Sequence, residues 1–266
     1  MTLAAHVLER PGASRLVLVH GFTQNSRCWS PVLEQLAADF TVIAVDAPGH
    51  GTSPALHDHA DPGEAARLIV EVGGRAHYLG YSMGGRLCLR AACDHPDMVA
   101  SLTLVGATPG LPDAEERARR RRDDEQLADQ LQLEGLGPFL DHWLALPLFA
   151  GLNPAAQART ERLTNRVEGV ATSLRRCGTG NQLPLWDRLA DLDMPVLALA
   201  GARDEKFAAV AQAMVAAINA PRAAGRAPGR AELAFIEHAG HTAHLEAPRA
   251  FLELVVPWLA ARKINP

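Results

Sequence analysis

The sequence predicts an α/β fold in which helices flank a mainly parallel central sheet. Six short apolar and β-branched runs recur along the chain with helical stretches between them, at residues 15–20, 41–45, 76–79, 101–105, 196–200 and 232–236. These runs are apolar on successive residues rather than alternate ones, which is typical of strands covered on both faces. Such strands, separated by helices, indicate a doubly wound parallel sheet.

The alternation of strands and helices stops between residues 110 and 186. Three stretches of this segment, at residues 115–131, 138–146 and 154–163, have helical patterns with Gly or Pro at their edges. A helical insertion in an α/β sheet is expected to cover the carboxyl ends of the strands, where such sheets bind ligands. We therefore predict a core of residues 1–109 and 187–266 and a helical cap of residues 110–186.

The composition argues against several classes of function. The chain has 266 residues, 48% of them hydrophobic, which is enough for one domain with an insertion. Its formal net charge of -4 argues against binding to nucleic acid or to an anionic membrane. The first twelve residues do not resemble a secretion signal, and no segment is long and apolar enough to cross a bilayer. We expect a cytoplasmic monomer or homodimer that does not insert into membranes.

The four cysteines and one biased segment carry no predicted chemistry. Cys28, Cys88, Cys93 and Cys177 have neither the paired spacing of a zinc site nor the density of a disulfide scaffold. We therefore expect reduced thiols and no metal site. Residues 220–230 are rich in Ala, Arg, Gly and Pro, and we predict a surface loop there.

A serine in a glycine-rich turn is the strongest candidate nucleophile. Gly80-Tyr81-Ser82-Met83-Gly84 follows the predicted strand 76–79 and precedes a helical run. This Gly-x-Ser-x-Gly pattern is typical of a nucleophile in a strained strand-to-helix turn, where glycines allow close backbone packing. The alternative is a glycine-rich turn with an idle serine, and the flanking strand and helix favour the nucleophile.

A serine hydroxyl needs a base and an acid, which this motif places later in the chain in the order serine, acid, histidine. Asp204 follows the predicted strand 196–200, and His241 follows the strand that ends at residue 236. Both residues therefore lie on loops at the same edge of the sheet. We predict that Asp204 and His241 complete a catalytic triad with Ser82.

Several other residues compete for these two roles. His238 and His244 flank His241, but only His241 directly follows a glycine of the loop. The competing acids precede the strand 196–200 and should lie at its opposite end; they are Asp187, Asp191 and Asp193.

The proposed chemistry also needs donors for a developing negative charge. His20-Gly21-Phe22 closes the first predicted strand, near the nucleophile turn. Two backbone N–H groups aimed at one oxygen can lower a barrier by about 3 kcal/mol each. We assign these two amides to Phe22 and Met83, and we expect His20 to be structural.

Together these motifs resemble the α/β-hydrolase superfamily along the chain outside the predicted cap. The matching segments are residues 20–22, 46–51, 80–84 and 240–241. More narrowly, the sequence resembles the 2-succinyl-6-hydroxy-2,4-cyclohexadiene-1-carboxylate synthases of menaquinone biosynthesis. The residues behind this narrower resemblance are 80–86, 109–111 with the Arg-rich helix after them, 178–182, 185–186 and 204–207.

The resemblance implies an unusual use of the serine. Enzymes of this family use the Ser–His–Asp set as a base that removes a proton and expels pyruvate from a polycarboxylate, without water, metal or organic cofactor. The substrate implied here is a small carboxylated molecule, for which Arg is a better partner than Lys. The implied substrate contacts are Tyr81, Arg86, Arg120 and Trp143.

Two positions depart from the family pattern. An arginine expected five residues before Gly169 is replaced by Thr164, so Arg162 or Arg166 would have to substitute for it. The segment 182–186 reads Gln-Leu-Pro-Leu-Trp instead of Gln-Pro-Ser-Leu-Trp, which changes the position that lacks a backbone N–H.

Other interpretations stay open on the sequence alone. Arg119 and Arg120 lie four residues after Glu115 and Glu116, the usual spacing of ion pairs on a solvated helix face. The same triad and oxyanion hole would also serve a serine hydrolase acting on an ester, an enol-lactone or a carbon–carbon bond. A non-catalytic binding role would leave the three filled triad positions unexplained.

Overall fold

A seven-stranded sheet forms the centre of the computed structural model, which describes residues 1–221, 230–262 and 264. The strand order is β1-β3-β2-β4-β5-β6-β7, and β1 is antiparallel to β3 while the other pairs are parallel. The strands are β1 (Ala5–Leu8), β2 (Arg15–Val19), β3 (Thr41–Val45), β4 (Ala76–Tyr81), β5 (Val99–Val105), β6 (Val196–Gly201) and β7 (Ala231–Ile236). The predicted mainly parallel α/β sheet is confirmed.

Helices cover both faces of this sheet. They are α1 (Ser30–Ala37), α2 (Pro62–Gly73), α3 (Met83–Asp94), α4 (Ala114–Glu134), α5 (Leu136–Leu144), α6 (Arg159–Arg162), α7 (Val167–Cys177), α8 (Glu205–Ile218), α9 (Ala243–Glu246) and α10 (Pro248–Ala260). Alternate residues of β2 supply the two apolar cores. Leu16 and Leu18 pack in the core that contains α1 and α10, and Val17 and Val19 pack in the core that contains α2, α3 and α8.

The first strand was not predicted from the sequence. β1 is an antiparallel edge strand of four residues, and its two central side chains are exposed. An exposed edge does not need the continuous apolar run that marks a strand covered on both faces. The six predicted strands are all present, with ends that differ by at most two residues.

The segment between β5 and β6 is helical, but one predicted helix is broken. Instead of one helix over 154–163, a 3-10 turn covers Pro154–Gln157 and the one-turn helix α6 follows it. Ala158 between them has a left-handed backbone (φ +50°), which ends the first turn. This break frees the carbonyl of Gln157, which accepts a hydrogen bond from Arg162 Nε at 2.8 Å.

An additional helix, α7, was missed because its sequence is rich in β-branched and small residues. It packs with α4 and α5 in an apolar cluster separate from the two sheet cores, formed around Leu131, Phe139 and Leu174. The division into a core and a cap at residues 110 and 186 stays a prediction.

Two other expectations concern the membrane and the segment 220–230. Within the described ranges, the structure has no helix that is both long and apolar enough to span a membrane. Most of the predicted surface loop, residues 222–229, lies outside the described residues.

A glycine–glycine contact joins α7 to the core. A Cβ atom added to Gly169 would lie 2.2 Å from the carbonyl oxygen of Gly49, and one added to Gly49 would lie 2.2 Å from the carbonyl oxygen of Gly169. Because both obstructing atoms belong to the backbone, no side-chain rotation relieves the clash. The close approach of α7 to the loop at Gly49 therefore requires glycine at both positions.

We predict that Gly169→Ala lowers the free energy of unfolding by about 1 to 3 kcal/mol, the usual cost of overpacking. Thr172→Ala, in the same helix, should change it by less than about 0.5 kcal/mol, as substitutions without such contacts do. Urea unfolding followed by circular dichroism measures both. Equal stabilities for the two variants would contradict the contact.

Candidate active site

Ser82 lies in a strained turn between β4 and α3. Its backbone has a positive φ that non-glycine residues rarely adopt (φ +51°, ψ -109°), and its N–H donates to the carbonyl of Val105 at 2.8 Å. A Cβ atom added to Gly84 would lie only 2.1 Å from the carbonyl oxygen of Val19. The glycine therefore lets the start of α3 pack directly on β2, and the turn presents the Ser82 hydroxyl at the carboxyl end of the sheet.

Asp204 and His241 occupy the loops that follow β6 and β7. Asp204 directly precedes α8 and accepts a hydrogen bond from the N–H of Phe207 at 3.3 Å. A Cβ atom added to Gly201 would lie 2.1 Å from the carbonyl oxygen of Gly240, so the two loops can approach this closely only with glycine at position 201. This approach brings the carboxylate and the imidazole together.

The three side chains form a continuous hydrogen-bonded chain. His241 Nδ1 donates to Asp204 Oδ2 at 2.7 Å, and His241 Nε2 lies 3.1 Å from Ser82 Oγ. The contact with Asp204 places the ring proton on Nδ1, which leaves Nε2 free to accept the hydroxyl proton. His241 is 3% exposed and Asp204 9% exposed. The arrangement can therefore draw the proton from Ser82 in a site largely shielded from water.

The competing residues lie elsewhere. His238 is exposed, whereas His244 is fully buried with Trp29 at 4.7 Å and Tyr81 at 4.5 Å between ring centroids. Neither ring nitrogen of His244 has a hydrogen-bond partner in the described part of the chain, and burial lowers its pKa to about 3. Three exposed acids precede β6, at the end of the strand far from Ser82: Asp187, Asp191 and Asp193.

His20 has the structural arrangement expected of it. Its Nε2 accepts a hydrogen bond from the N–H of Ala47 at 2.9 Å, and its Nδ1 donates to the carbonyl of Gly21 at 2.8 Å. Burial lowers the pKa of His20 to about 4, so the ring is neutral at pH 7. The ring joins the loop after β2 to the loop after β3.

The two amides assigned to the oxyanion hole face the same cavity. Phe22 and Met83 both line it, and neither N–H donates to another described residue. Met83 is the first residue of α3, where the amides are free of intrahelical bonds and the helix dipole favours negative charge. Both amides are therefore available to an oxygen that gains negative charge.

A cavity of about 190 Å³ lies next to Ser82. Its wall combines residues of the sheet loops with residues of the helical segment between β5 and β6. The wall contains all four predicted substrate contacts: Tyr81, Arg86, Arg120 and Trp143. It also contains Arg162, which the sequence left as an alternative to Arg166, and it contains Lys206 and Phe207, which were not predicted as contacts.

Arg86 is buried and is hydrogen-bonded to the segment after α7. Its guanidinium donates to Gln182 Oε1 at 2.9 Å and to the carbonyl of Cys177 at 2.8 Å. Burial lowers the pKa of Arg86 to about 10, which still leaves it charged at pH 7. Arg86 therefore contributes a fixed positive charge to the cavity wall.

Arg120 pairs with Asp124, not with Glu116 as its spacing on a solvated helix face would allow. Arg119 lies 4.0 Å from Glu115, as on a solvated face, whereas Arg120 Nε donates to Asp124 at 2.8 Å. Asp124 is 1% exposed and lies in the cavity wall. The pairing with Asp124 directs Arg120 toward the cavity.

Of the two arginines near Thr164, Arg162 is the one that reaches the cavity. Arg162 is 1% exposed, and its terminal nitrogen donates to Thr23 Oγ1 and, at 3.5 Å, to the carbonyl of Phe22. Arg166 instead donates to the carbonyl of Ser53 at 3.3 Å and does not line the cavity. The sequence could not decide between them, because the break at Ala158 sets the direction of this segment.

Aromatic rings close the remaining walls. The Tyr81 ring is buried, and its centroid lies 5.3 Å from the centroid of the His241 ring. Burial raises the pKa of the Tyr81 phenol above its usual range. Trp143 meets Phe22 edge to face at 5.1 Å, and Phe207 lies 4.5 Å from His241. Phe207 belongs to the segment 204–207, which supported the family resemblance. That resemblance was the one sequence signal that could have placed Phe207 in the site.

No metal site accompanies these residues in the described ranges 1–221, 230–262 and 264, where no group of three or more His, Cys, Asp or Glu residues is arranged to hold an ion.

We predict that His244→Phe keeps the catalytic activity and weakens the loss of stability in acid. Below pH 6.5 the unfolded chain protonates this histidine while the folded protein, with its pKa near 3, does not. The free energy of unfolding therefore falls as the pH falls, by about 2 kcal/mol from this residue at pH 5. Phe keeps the ring packing and removes the titration.

Urea unfolding at pH 7 and pH 5 measures this difference. Replacement of the exposed His59 by Phe should leave the wild-type drop unchanged. An unreduced drop in the His244→Phe protein, or loss of its activity, would contradict the assignment of His244 as a buried neutral packing residue.

The site and fold agree with comparisons to known proteins. A model of the α/β-hydrolase fold family matches residues 14–248. The 2-succinyl-6-hydroxy-2,4-cyclohexadiene-1-carboxylate synthase of Salmonella heidelberg (strain SL476) is 34% identical over 260 aligned residues, which cover 95% of this chain and 96% of the relative. A Bacillus subtilis (strain 168) protein that bears the same name provisionally is 34% identical over 271 residues, covering 95% and 93%.

Solved structures also resemble this chain over almost its whole length. MenH from S. aureus has a TM-score of 0.87 at 28% identity, covering 98% of this chain and 99% of its own. A thermophilic esterase from Thermogutta terrifontis has a TM-score of 0.81 at 24% identity, covering 98% and 94%, which supports the fold alone. These findings confirm both resemblances found in the sequence, and the chain belongs to the α/β-hydrolase fold family.

Proposed function

We propose that this protein is a 2-succinyl-6-hydroxy-2,4-cyclohexadiene-1-carboxylate synthase of menaquinone biosynthesis. In this role it is a carbon–oxygen lyase that eliminates pyruvate from an enolpyruvyl cyclohexene carboxylate. Relatives of that name, similar to this chain over 95% of its length, support the proposal. The observation that carries it is that two buried arginines, Arg86 and Arg162, line the cavity beside Ser82. The Ser82 hydroxyl is in turn hydrogen-bonded to His241.

The charge of the cavity wall favours a polycarboxylate. Arg86 and Arg162 are 7% and 1% exposed, and neither has a carboxylate within salt-bridge distance among the described residues. A buried charge without an ionic partner costs several kcal/mol. A bound carboxylate would offset that cost, because Arg binds planar anions through two parallel hydrogen bonds.

The whole wall has an excess of positive charge. Its cations are Arg86, Arg120, Arg162 and Lys206, and Asp124 is the one carboxylate residue among the lining residues. A substrate with several carboxylates would balance this excess, whereas a neutral ester would not. The charge balance therefore favours the lyase substrate over a simple ester.

The elimination needs a base and a proton carrier, and no water. In the proposed reaction His241 Nε2 takes the proton of Ser82, whose oxygen then removes a proton from a substrate carbon. The electrons of that C–H bond form a carbon–carbon double bond as the C–O bond to the enolpyruvyl group breaks. His241 then gives the proton that it took from Ser82 to the departing enolate, which becomes pyruvate, while Ser82 keeps the proton removed from the substrate.

The other residues would stabilise charge during these steps. Asp204 would hold the Nδ1 proton and stabilise the imidazolium form of His241. The N–H groups of Phe22 and Met83 would donate to the substrate oxygen on which negative charge develops.

The cytoplasmic location and the monomeric or homodimeric state stay predictions.

We predict that the purified protein releases pyruvate from the enolpyruvyl substrate, and that Ser82→Ala lowers kcat at least about 1,000-fold, as the loss of a triad nucleophile does. A coupled lactate dehydrogenase assay measures the release. No pyruvate from a protein that turns over short acyl esters with a burst of acyl-enzyme would favour the serine hydrolase. Activity that survives Ser82→Ala would show that the site is wrong.

We predict that Arg162→Gln lowers kcat/KM for pyruvate release by about 10- to 100-fold, because a charge-assisted hydrogen bond to a carboxylate is worth about 1.5–3 kcal/mol. Arg166→Gln should stay within about twofold of wild type, since Arg166 bonds Ser53 outside the cavity. The same kinetic assay compares them. Equal effects of the two changes would argue against substrate binding by Arg162.

A further inference from the structure

A segment of the helical region holds the loop that carries the Phe22 amide. The side chain of Asn25 donates to the carbonyl of Glu161 at 2.7 Å and to the Thr164 hydroxyl at 3.1 Å. Asn165 Nδ2 donates to the carbonyl of Thr23 at 2.7 Å. Residues 161–165 thus contact residues 21–25 at several points, and we call them the clasp.

The loop held by the clasp contains a strained residue. Thr23 has φ +66°, a left-handed conformation that a β-branched side chain rarely adopts. Such a conformation persists only where the surroundings enforce it. Thr23 borders the Phe22–Thr23 peptide bond, and the Phe22 N–H belongs to the peptide bond before it. The conformation of Thr23 therefore fixes the path of the chain on one side of Phe22, and through it the placement of the Phe22 N–H.

Asn165 connects the loop that contains Thr23 to a second loop of the protein. It is 7% exposed, and its Nδ2 donates to the carbonyls of Thr23 and, at 3.4 Å, Gln24. Its Oδ1 accepts from the N–H of Gly51 at 2.6 Å. Asn165 therefore joins the strained loop to the loop after β3.

The loop after β3, to which Asn165 is bonded, is itself held by hydrogen bonds and close packing. The carboxylate of Asp46 accepts hydrogen bonds from the N–H groups of Ser26 at 2.8 Å and Thr52 at 3.0 Å. A Cβ atom on Gly51 would lie 2.1 Å from that carboxylate. Gly51 is thus closely packed, and Asn165 extends this support to Thr23.

We propose that Asn165 is a positioning residue that keeps Thr23 in its left-handed conformation and so aims the Phe22 N–H at the reacting oxygen. This inference rests on the proposed role of the Phe22 amide. Loss of Asn165 should slow the chemical step and leave substrate affinity almost unchanged, since Asn165 does not line the cavity.

The test measures how fast a small neutral p-nitrophenyl phosphonate modifies Ser82, by release of p-nitrophenol. The phosphoryl oxygen of this probe needs the oxyanion hole, but the probe has no carboxylate and does not depend on the arginines or on the proposed substrate. Its outcome is therefore separate from that of the pyruvate assay. Melting temperature is recorded for each variant.

Asn165→Ala should slow the modification at least about tenfold, the lower part of the range seen when oxyanion stabilisation is lost. In the pyruvate assay it should lower kcat with KM within twofold. The matched control is Asn153→Ala, which removes an asparagine that caps the turn at Ala156 and, in the part of the chain that the structure describes, makes no hydrogen bond to residues 21–25. The control should stay within about twofold of wild type.

A second substitution tests the path of the effect. Glycine adopts positive φ without steric cost, so Thr23→Gly should restore most of the rate when combined with Asn165→Ala. A rate within twofold of wild type for Asn165→Ala, or a slow rate that Thr23→Gly does not relieve, would overturn the proposal. If Asn165→Ala does not fold, Asn165→Asp replaces it. This change sets an oxygen against the Thr23 carbonyl, and a normal rate in that variant would overturn the proposal equally.

Discussion

The site depends on the positive-φ backbone of Ser82, which the surrounding packing enforces. A non-glycine residue at φ +51° is strained, and it persists here because Gly84 lets α3 pack on β2 while Val105 accepts the Ser82 N–H. If this turn relaxed, the hydroxyl would move away from His241. The parallel sheet then places Asp204 and His241 near Ser82, since the loops after β6 and β7 lie at the same edge as the turn after β4.

The helical segment between β5 and β6 adds charge and aromatic surface to this edge. Arg120 and Trp143 come from α4 and α5, and Arg162 comes from the one-turn helix α6. Of these cations Arg162 is buried, and a carboxylated substrate in the cavity would offset the cost of burying its charge. Arg162 also contacts Phe22 and Thr23, so one residue joins the cation-lined wall to the loop after β2.

The sequence predicted the parts of the fold and site that follow from pattern and order. Ser82, Asp204 and His241 could be chosen because each follows a buried strand, and parallel strands bring their carboxyl ends together. β1 was missed because its central residues face solvent, and the break at Ala158 was missed because a left-handed alanine has no local sequence signature. The choice between Arg162 and Arg166 depended on that break and on contacts more than 100 residues apart in sequence.

A crystal structure of the Ser82→Ala protein with the enolpyruvyl substrate bound tests the central claim most directly, because it shows which cations meet the carboxylates. We expect one carboxylate at the guanidinium of Arg162, another within reach of Arg86 or Arg120, and the carbon that loses its proton next to Ala at position 82 and to His241. Carboxylates that face solvent, with Arg162 still bonded only to protein atoms, would contradict a polycarboxylate site built on buried arginines.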